Sequence, residues 1–159
     1  MPWRGPEYEG ELPSLGPLMA EWVEEHLRVP AGRLYGEPFV FTDEQWSFFH
    51  RFYALDPKTG RALYRRGVRR GAKGKGKSPE GGAWLLAEFC GPVVFDGWDA
   101  NGEPVGIQRF NPLCQVVAAA EDQTGNLYRV LREMAADSDL IDEERLDLGK
   151  TRVEFADGR

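Results

Sequence analysis

One run limits what this chain can fold into more than any other: Gly71-Ala72-Lys73-Gly74-Lys75-Gly76-Lys77-Ser78. It satisfies the spacing G-x-x-x-x-G-K-[ST] at every fixed position, and it lies between a stretch read as a strand and a stretch read as a helix. The glycines let the backbone turn tightly, so that successive N–H groups converge on an anion, and the helix that follows adds the positive end of its dipole. Such a loop cradles the phosphates of a nucleotide, with Lys77 reaching the β- and γ-phosphates and the Ser78 hydroxyl on Mg²⁺. Pro79 is tolerated because the first helical turn has no intrahelical use for its N–H. The competing reading is a flexible basic loop. Arg61, Arg65, Arg66, Arg69, Arg70, Lys73, Lys75 and Lys77 occur without an acidic residue between them, as in a nucleic-acid-binding tether.

Length and charge narrow the setting. A chain of 159 residues with 42% hydrophobic and 12% aromatic content can bury one core. Its formal net charge of −6 argues against a surface that grips nucleic acid or an anionic membrane throughout, so anion binding must be local. No apolar run approaches the ~20 residues needed to cross a bilayer, and the N-terminus has no secretory pattern, so a soluble, intracellular chain is expected. Two cysteines (Cys90, Cys114) and two histidines (His26, His50) without metal-ligand spacing make a disulfide framework or a zinc site a poor explanation.

Periodicity places elements around the loop. After an irregular Pro-, Gly- and Glu-rich lead-in, Leu15, Leu18, Met19, Trp22, Val23 and Leu27 recur at helical spacing, with Ser14 as N-cap. Thr42-Asp43-Glu44-Gln45 has the reciprocal capping-box pattern of a second helix that carries Trp46, Phe49 and Tyr53 and stops near Leu55, ahead of a turn at Pro57-Lys58-Thr59-Gly60. Residues 61–70 read as a strand, and 81–90 as a helix buried on most sides and closed by Gly91-Pro92. Asp99-Ala100-Asn101-Gly102 between apolar runs is a hairpin signal. Residues 115–120 read as a buried parallel strand, a helix follows from about Thr124 with Leu127, Val130, Leu131 and Met134 on one face, and 151–155 as a further strand. Strand and helix alternate from residue 61 onward, which is α/β layering. The expected division is 1–34, a lead-in with an amphipathic helix, and 35–159, a P-loop domain. Trp46 and Trp84 are read as core side chains rather than ligand contacts.

Residues 35–159 resemble the N-terminal ATPase portion of the tailed-phage terminase large subunit. The resemblance rests on Phe41-Thr42-Asp43-Glu44-Gln45 before an aromatic helix, on a basic residue, Lys73, three positions before Gly76, on Lys77-Ser78-Pro79 leading into a small-residue helix that ends in Phe89-Cys90-Gly91-Pro92, and on Ala118 to Gln123 after it. It implies a P-loop NTPase with a parallel-sheet core and an N-terminal helical extension, and ATP and Mg²⁺ as cofactors. It implies that Gln45 reads adenine, beside the plainer reading that Gln45, as the fourth residue of the capping box, only satisfies a backbone N–H at the helix start. It implies that Lys77 and Lys73 are catalytic, that Gly71, Ala72, Lys73, Gly74, Lys75, Gly76, Lys77 and Ser78 surround the phosphates, and that Ser78 is the metal contact. It also implies a motor in the host cytoplasm that packages double-stranded DNA into procapsids. Its partners would be the portal, the small terminase subunit and the rest of the large subunit, in a homo-oligomeric ring and without a membrane. The family's apolar strand ending in Asp-Glu has no clear counterpart here. Asp96 follows an apolar run but comes too soon after Lys77, and Glu121-Asp122 sits where the preceding strand should end. The expectation is therefore a partial ATPase domain, a fragment or split-gene product, without the strand that bears the catalytic acids. A small-molecule kinase is the other enzyme reading, weakened by two expected helices ahead of the loop. A non-enzymatic DNA-binding module using residues 61–77 is the third.

Overall fold

The computed structural model describes residues 2–71, 74, 76–118, 121–136, 138–149 and 152–158. Its elements in chain order are α1 (Gly16–His26), α2 (Asp43–Phe52), α3 (Lys77–Cys90), β1 (Val94–Trp98), β2 (Pro104–Ile107), α4 (Glu121–Ala136), α5 (Leu140–Glu143), β3 (Leu146–Leu148) and β4 (Val153–Phe155). One apolar core joins Met19 and Val23 of α1, Phe49 of α2, Ala83, Leu86 and Ala87 of α3, and Leu131 and Met134 of α4. Residues 1–34 thus contribute to the same core as the rest of the chain.

Each helix forms for a local reason. Along α1 and its two caps, Leu15, Met19, Val23 and Leu27 fall at intervals of four and are all buried, so one face of the helix meets the core. Ser14 sits one place ahead of the structural cap Leu15: its hydroxyl accepts from the Gly16 N–H at 2.9 Å and donates to the His50 carbonyl at 2.6 Å, so it ties α1 to α2 as well as finishing the helix end. The capping box of α2 is present in both directions, Gln45 N–H to Thr42 Oγ1 at 3.4 Å and Thr42 N–H to Gln45 Oε1 at 2.9 Å. α2 ends at Phe52, three residues earlier than expected, because the chain must then turn. Leu55 instead pairs in an isolated bridge with Ala62. Within that turn the Asp56 carboxylate accepts from the Thr59 hydroxyl and from the N–H groups of Thr59 and Lys58. Those bonds hold its pKa below the usual carboxylate value.

Aromatic packing joins α2 to α3. Phe48, Phe49 and Phe52 surround Trp84, with ring centroids 4.9–5.7 Å from it in edge-on arrangements. Trp84 Nε1–H donates to the Tyr53 oxygen at 3.0 Å, Tyr53 O–H donates to Glu88 at 2.6 Å, and Arg109 closes on the other Glu88 oxygen at 2.9 Å. Burial and the neighbouring Glu88 push the Tyr53 phenol well above its ordinary pKa. Trp84 behaves as the core residue the sequence suggested. Trp46 is exposed at the surface and stacks on His50 at 4.7 Å.

The strands are all antiparallel among the described residues. β1 and β2 form the expected ribbon, paired Val94 with Ile107 and Phe95 with Gly106. Its turn is organised by Asp99, whose carboxylate accepts from the N–H groups of Asn101 and Glu103, each at 2.8 Å. The lead-in straps onto this turn, with Arg4 N–H donating to the Gly102 carbonyl at 3.1 Å and the Arg4 guanidinium bridging Glu11 and Glu103. β3 and β4 form a second hairpin, and Phe155 stacks on Phe89 of α3 with centroids 4.7 Å apart.

Three expectations about the sheet need correction. Residues 61–70 are exposed, half-buried Arg69 aside, and irregular apart from the Ala62 bridge. Residues 115–118 join no ladder among the described residues, and Ala119 and Ala120 lie outside them. Val153–Phe155 is a strand, but in an antiparallel hairpin. No parallel-sheet core is found among the described residues. The reason is physical: a parallel strand needs ladder partners and helices over both faces, and neither basic 61–70 nor lone 115–118 finds them among the described residues. Residues 112–117 do alternate, with Pro112, Cys114 and Val116 half-buried and Leu113, Gln115 and Val117 exposed, the two-residue period of a strand without its ladder.

Candidate functional site

The glycine- and lysine-rich run ends on the N-terminus of α3. Gly76 is the N-cap residue at φ +72° and Gly74 lies at φ +83°, both in the left-handed region that glycine adopts without steric cost. A Cβ built on either would meet no atom within 4 Å, so the loop faces open space at both turns. Lys77 opens the helix and folds back across the loop, its Nζ donating to the Gly71 carbonyl at 2.5 Å. Ser78 is the second residue of the helix and is exposed. The main-chain N–H groups of such a first turn have no intrahelical acceptor and suit an anion. Ala72, Lys73 and Lys75 lie outside the described residues, so the proposed roles of these residues rest on the sequence.

Beside the loop is a polar cluster that the sequence reading did not single out. Glu80, in the first turn of α3, is only 3% exposed. The Arg69 guanidinium grips its carboxylate, Nε to Oε1 at 2.5 Å and Nη2 to Oε2 at 3.2 Å. The Gln45 amide nitrogen donates to the same Oε2 at 3.2 Å. Arg69 also reaches Glu44 at 3.0 Å and lies over the Phe48 ring, 5.3 Å from its centroid. The Glu80 carboxylate beside it holds the Arg69 pKa above its ordinary value, against the opposing effect of burial. Gln45, at 6% exposure, thus has its amide oxygen on the Thr42 cap and its amide nitrogen on Glu80. A base contact by Gln45 would have to share one of these groups. The available signal was an acidic residue in the first turn of a mostly apolar helix, following a basic tract.

Neither acidic site weighed from the sequence ends a buried strand. Asp96 is exposed on the β1–β2 ribbon, and Glu121 and Asp122 open α4 instead of ending a strand. A separate cavity of about 890 Å³ lies between α3, α4, residues 112–117 and β4, with Leu85, Phe89, Val116 and Tyr128 in its walls and no described residue of 71–78.

Comparison with known proteins places this geometry. Over 89% of its length the chain superposes on 25% of the HK97 bacteriophage large terminase in its crystal structure, with a TM-score of 0.59 and 14% identity. The chain has a terminase-like fold. It is also 37% identical over 139 residues to the Gene 13 protein of Mycobacterium phage L5, an alignment taking in 76% of this chain and 23% of that protein. With the Gene 13 protein of Mycobacterium phage D29 the identity is 34%, across 91% of this chain and 27% of the relative. The terminase-like chain therefore spans about a quarter of the length of the proteins it matches, all of them from phages. No protein-family model matches it.

Proposed function

We propose that this chain is the ATP-binding segment of a phage DNA-packaging motor, a portion of a terminase large subunit. The observation that carries this reading is the glycine loop at the N-terminus of α3, with Lys77 reaching across it and open space in front of Gly74 and Gly76. The terminase-like fold supports it. In this role the Gly71, Gly74 and Gly76 backbone surrounds the phosphates, Lys77 and Lys73 offset their charge, the Ser78 hydroxyl meets Mg²⁺ and Gln45 lies toward the base. When bound, Mg²⁺ would neutralise phosphate charge that the protein cations leave uncompensated. The partners are double-stranded DNA, the portal, the small terminase subunit and the rest of the large subunit, assembled as a ring in the host cytoplasm. Among the described residues no helix is long and apolar enough to cross a membrane.

Calorimetric titration of the chain with Mg²⁺ and a non-hydrolysable ATP analogue tests the reading. Lys77→Ala should weaken binding by about 10- to 100-fold, the worth of a charge-assisted contact of about 1.5–3 kcal/mol. A GTP analogue should bind less well than the ATP analogue. Equal affinity in wild type and Lys77→Ala would remove the loop from the site. A salt-dependent affinity for duplex DNA that the ATP analogue does not compete for would favour the basic tether, since Arg61, Arg65, Arg66 and Arg70 are all exposed.

Binding should occur without steady hydrolysis by this chain alone, because Asp96 lies on an exposed ribbon and not at the end of a buried strand beside the loop. Phosphate release over many turnovers, measured on the purified chain, would refute this.

A further inference from the structure

We propose that Arg69 and Glu80 form a charge clamp across the base of the phosphate loop, which makes them positioning residues for phosphate binding. The inference rests on the nucleotide reading above and adds a role that the loop motif does not contain. Arg69 stands two residues before Gly71, and Glu80 two residues after Ser78, so their ion pair joins the chain entering the loop to the helix leaving it. The Glu80 N–H donates to the Gly76 carbonyl at 3.0 Å, which anchors the same turn at its backbone. Fixing both ends lowers the entropy lost when the loop orders around an anion.

The pair has an electrostatic consequence as well. Glu80 is a buried carboxylate in the first turn of the helix whose positive end would receive the phosphates. Left alone, it would offset the helix dipole and repel a polyphosphate. Arg69 cancels that charge through two bonds from its planar fork, and the Gln45 amide supplies a further donor to the carboxylate. Arg69 is itself held in place by Glu44 and the Phe48 ring. A phosphate chain would then meet a helix start whose buried carboxylate is offset, with the Lys77 charge set against it.

The test uses the full chain, Mg²⁺ and a non-hydrolysable ATP analogue, with calorimetry for affinity and thermal melting for folding. Arg69→Gln should weaken binding by at least about tenfold, because it leaves the buried carboxylate unneutralised. Arg69→Lys, which keeps the charge, and the double variant Arg69→Gln/Glu80→Gln, which removes both charges, should each bind within about threefold of wild type. Recovery in the double variant is the outcome a brace without an electrostatic role would not give. A double variant as weak as Arg69→Gln overturns the clamp, and so does an unchanged Arg69→Gln. If Lys77→Ala is still defective in that case, the nucleotide reading survives. Failure of the wild type to bind overturns both. Should Arg69→Gln fail to fold, the double variant decides: affinity near wild type supports the clamp, and a tenfold loss overturns it.

Discussion

Phe49→Ala is expected to cost the fold about 3–5 kcal/mol, the range for truncating a large aromatic side chain in a packed core. Phe49 is 1% exposed and lies where α1, α2 and α3 meet. Its ring centroid is 4.7 Å from Phe41, 5.2 Å from Phe48 and 5.4 Å from Trp84. Few of these neighbours can close the gap, since Phe48 and Trp84 are also engaged with Phe52, and Trp84 is hydrogen-bonded to Tyr53. For a domain of this size the loss should lower the melting midpoint by roughly 10 °C. Chemical denaturation of wild type and variant gives the free energy directly, and a difference below about 1 kcal/mol would show that the aromatic cluster relaxes around the hole.

The second large effect comes from adding atoms. A Cβ built on Gly16 would lie 2.6 Å from His50 Cα, 2.9 Å from His50 N and 3.0 Å from the Phe49 carbonyl oxygen. All three are backbone atoms that no rotamer change can move aside, so Gly16→Ala must separate the start of α1 from α2. That separation also stretches the Ser14 hydroxyl bond to the His50 carbonyl. We expect a net loss of about 3 kcal/mol, near the upper end for overpacking, and opposite in sign to the small gain that alanine brings to an exposed helix position. Equilibrium unfolding measures it, and an unchanged or raised midpoint would mean that the two helices are not held at this distance.

What could be read in advance follows the range of each interaction. The α2 capping box lies within four residues and formed as its sequence specified, as did the apolar face of α1 and the ribbon turn around Asp99. Their physics is local. Two of the expected strands, 61–70 and 115–120, were misjudged because β structure depends on partners far along the chain: among the described residues 61–70 carries β-compatible residues and finds a single bridge, while 112–117 keeps the strand period with no ladder. At the candidate site, spacing marked Lys77 and Ser78, but it could not show that Arg69, Glu80 and Gln45 converge. Gln45 and Glu80 are 35 positions apart and come together only through the packing of α2 on α3.

The alternating stretch at 112–117 has a colloidal consequence. With Leu113 81% exposed and Val117 89% exposed, and no charged residue from Asn111 to Ala120, it presents an adhesive seam with no Lys or Glu to keep other strands away. Phe110, immediately upstream, is also exposed and widens that seam. Proteins that carry such an edge and remain dispersed in solution cover it. For the chain by itself these few residues favour association, against the dispersing effect of its net charge.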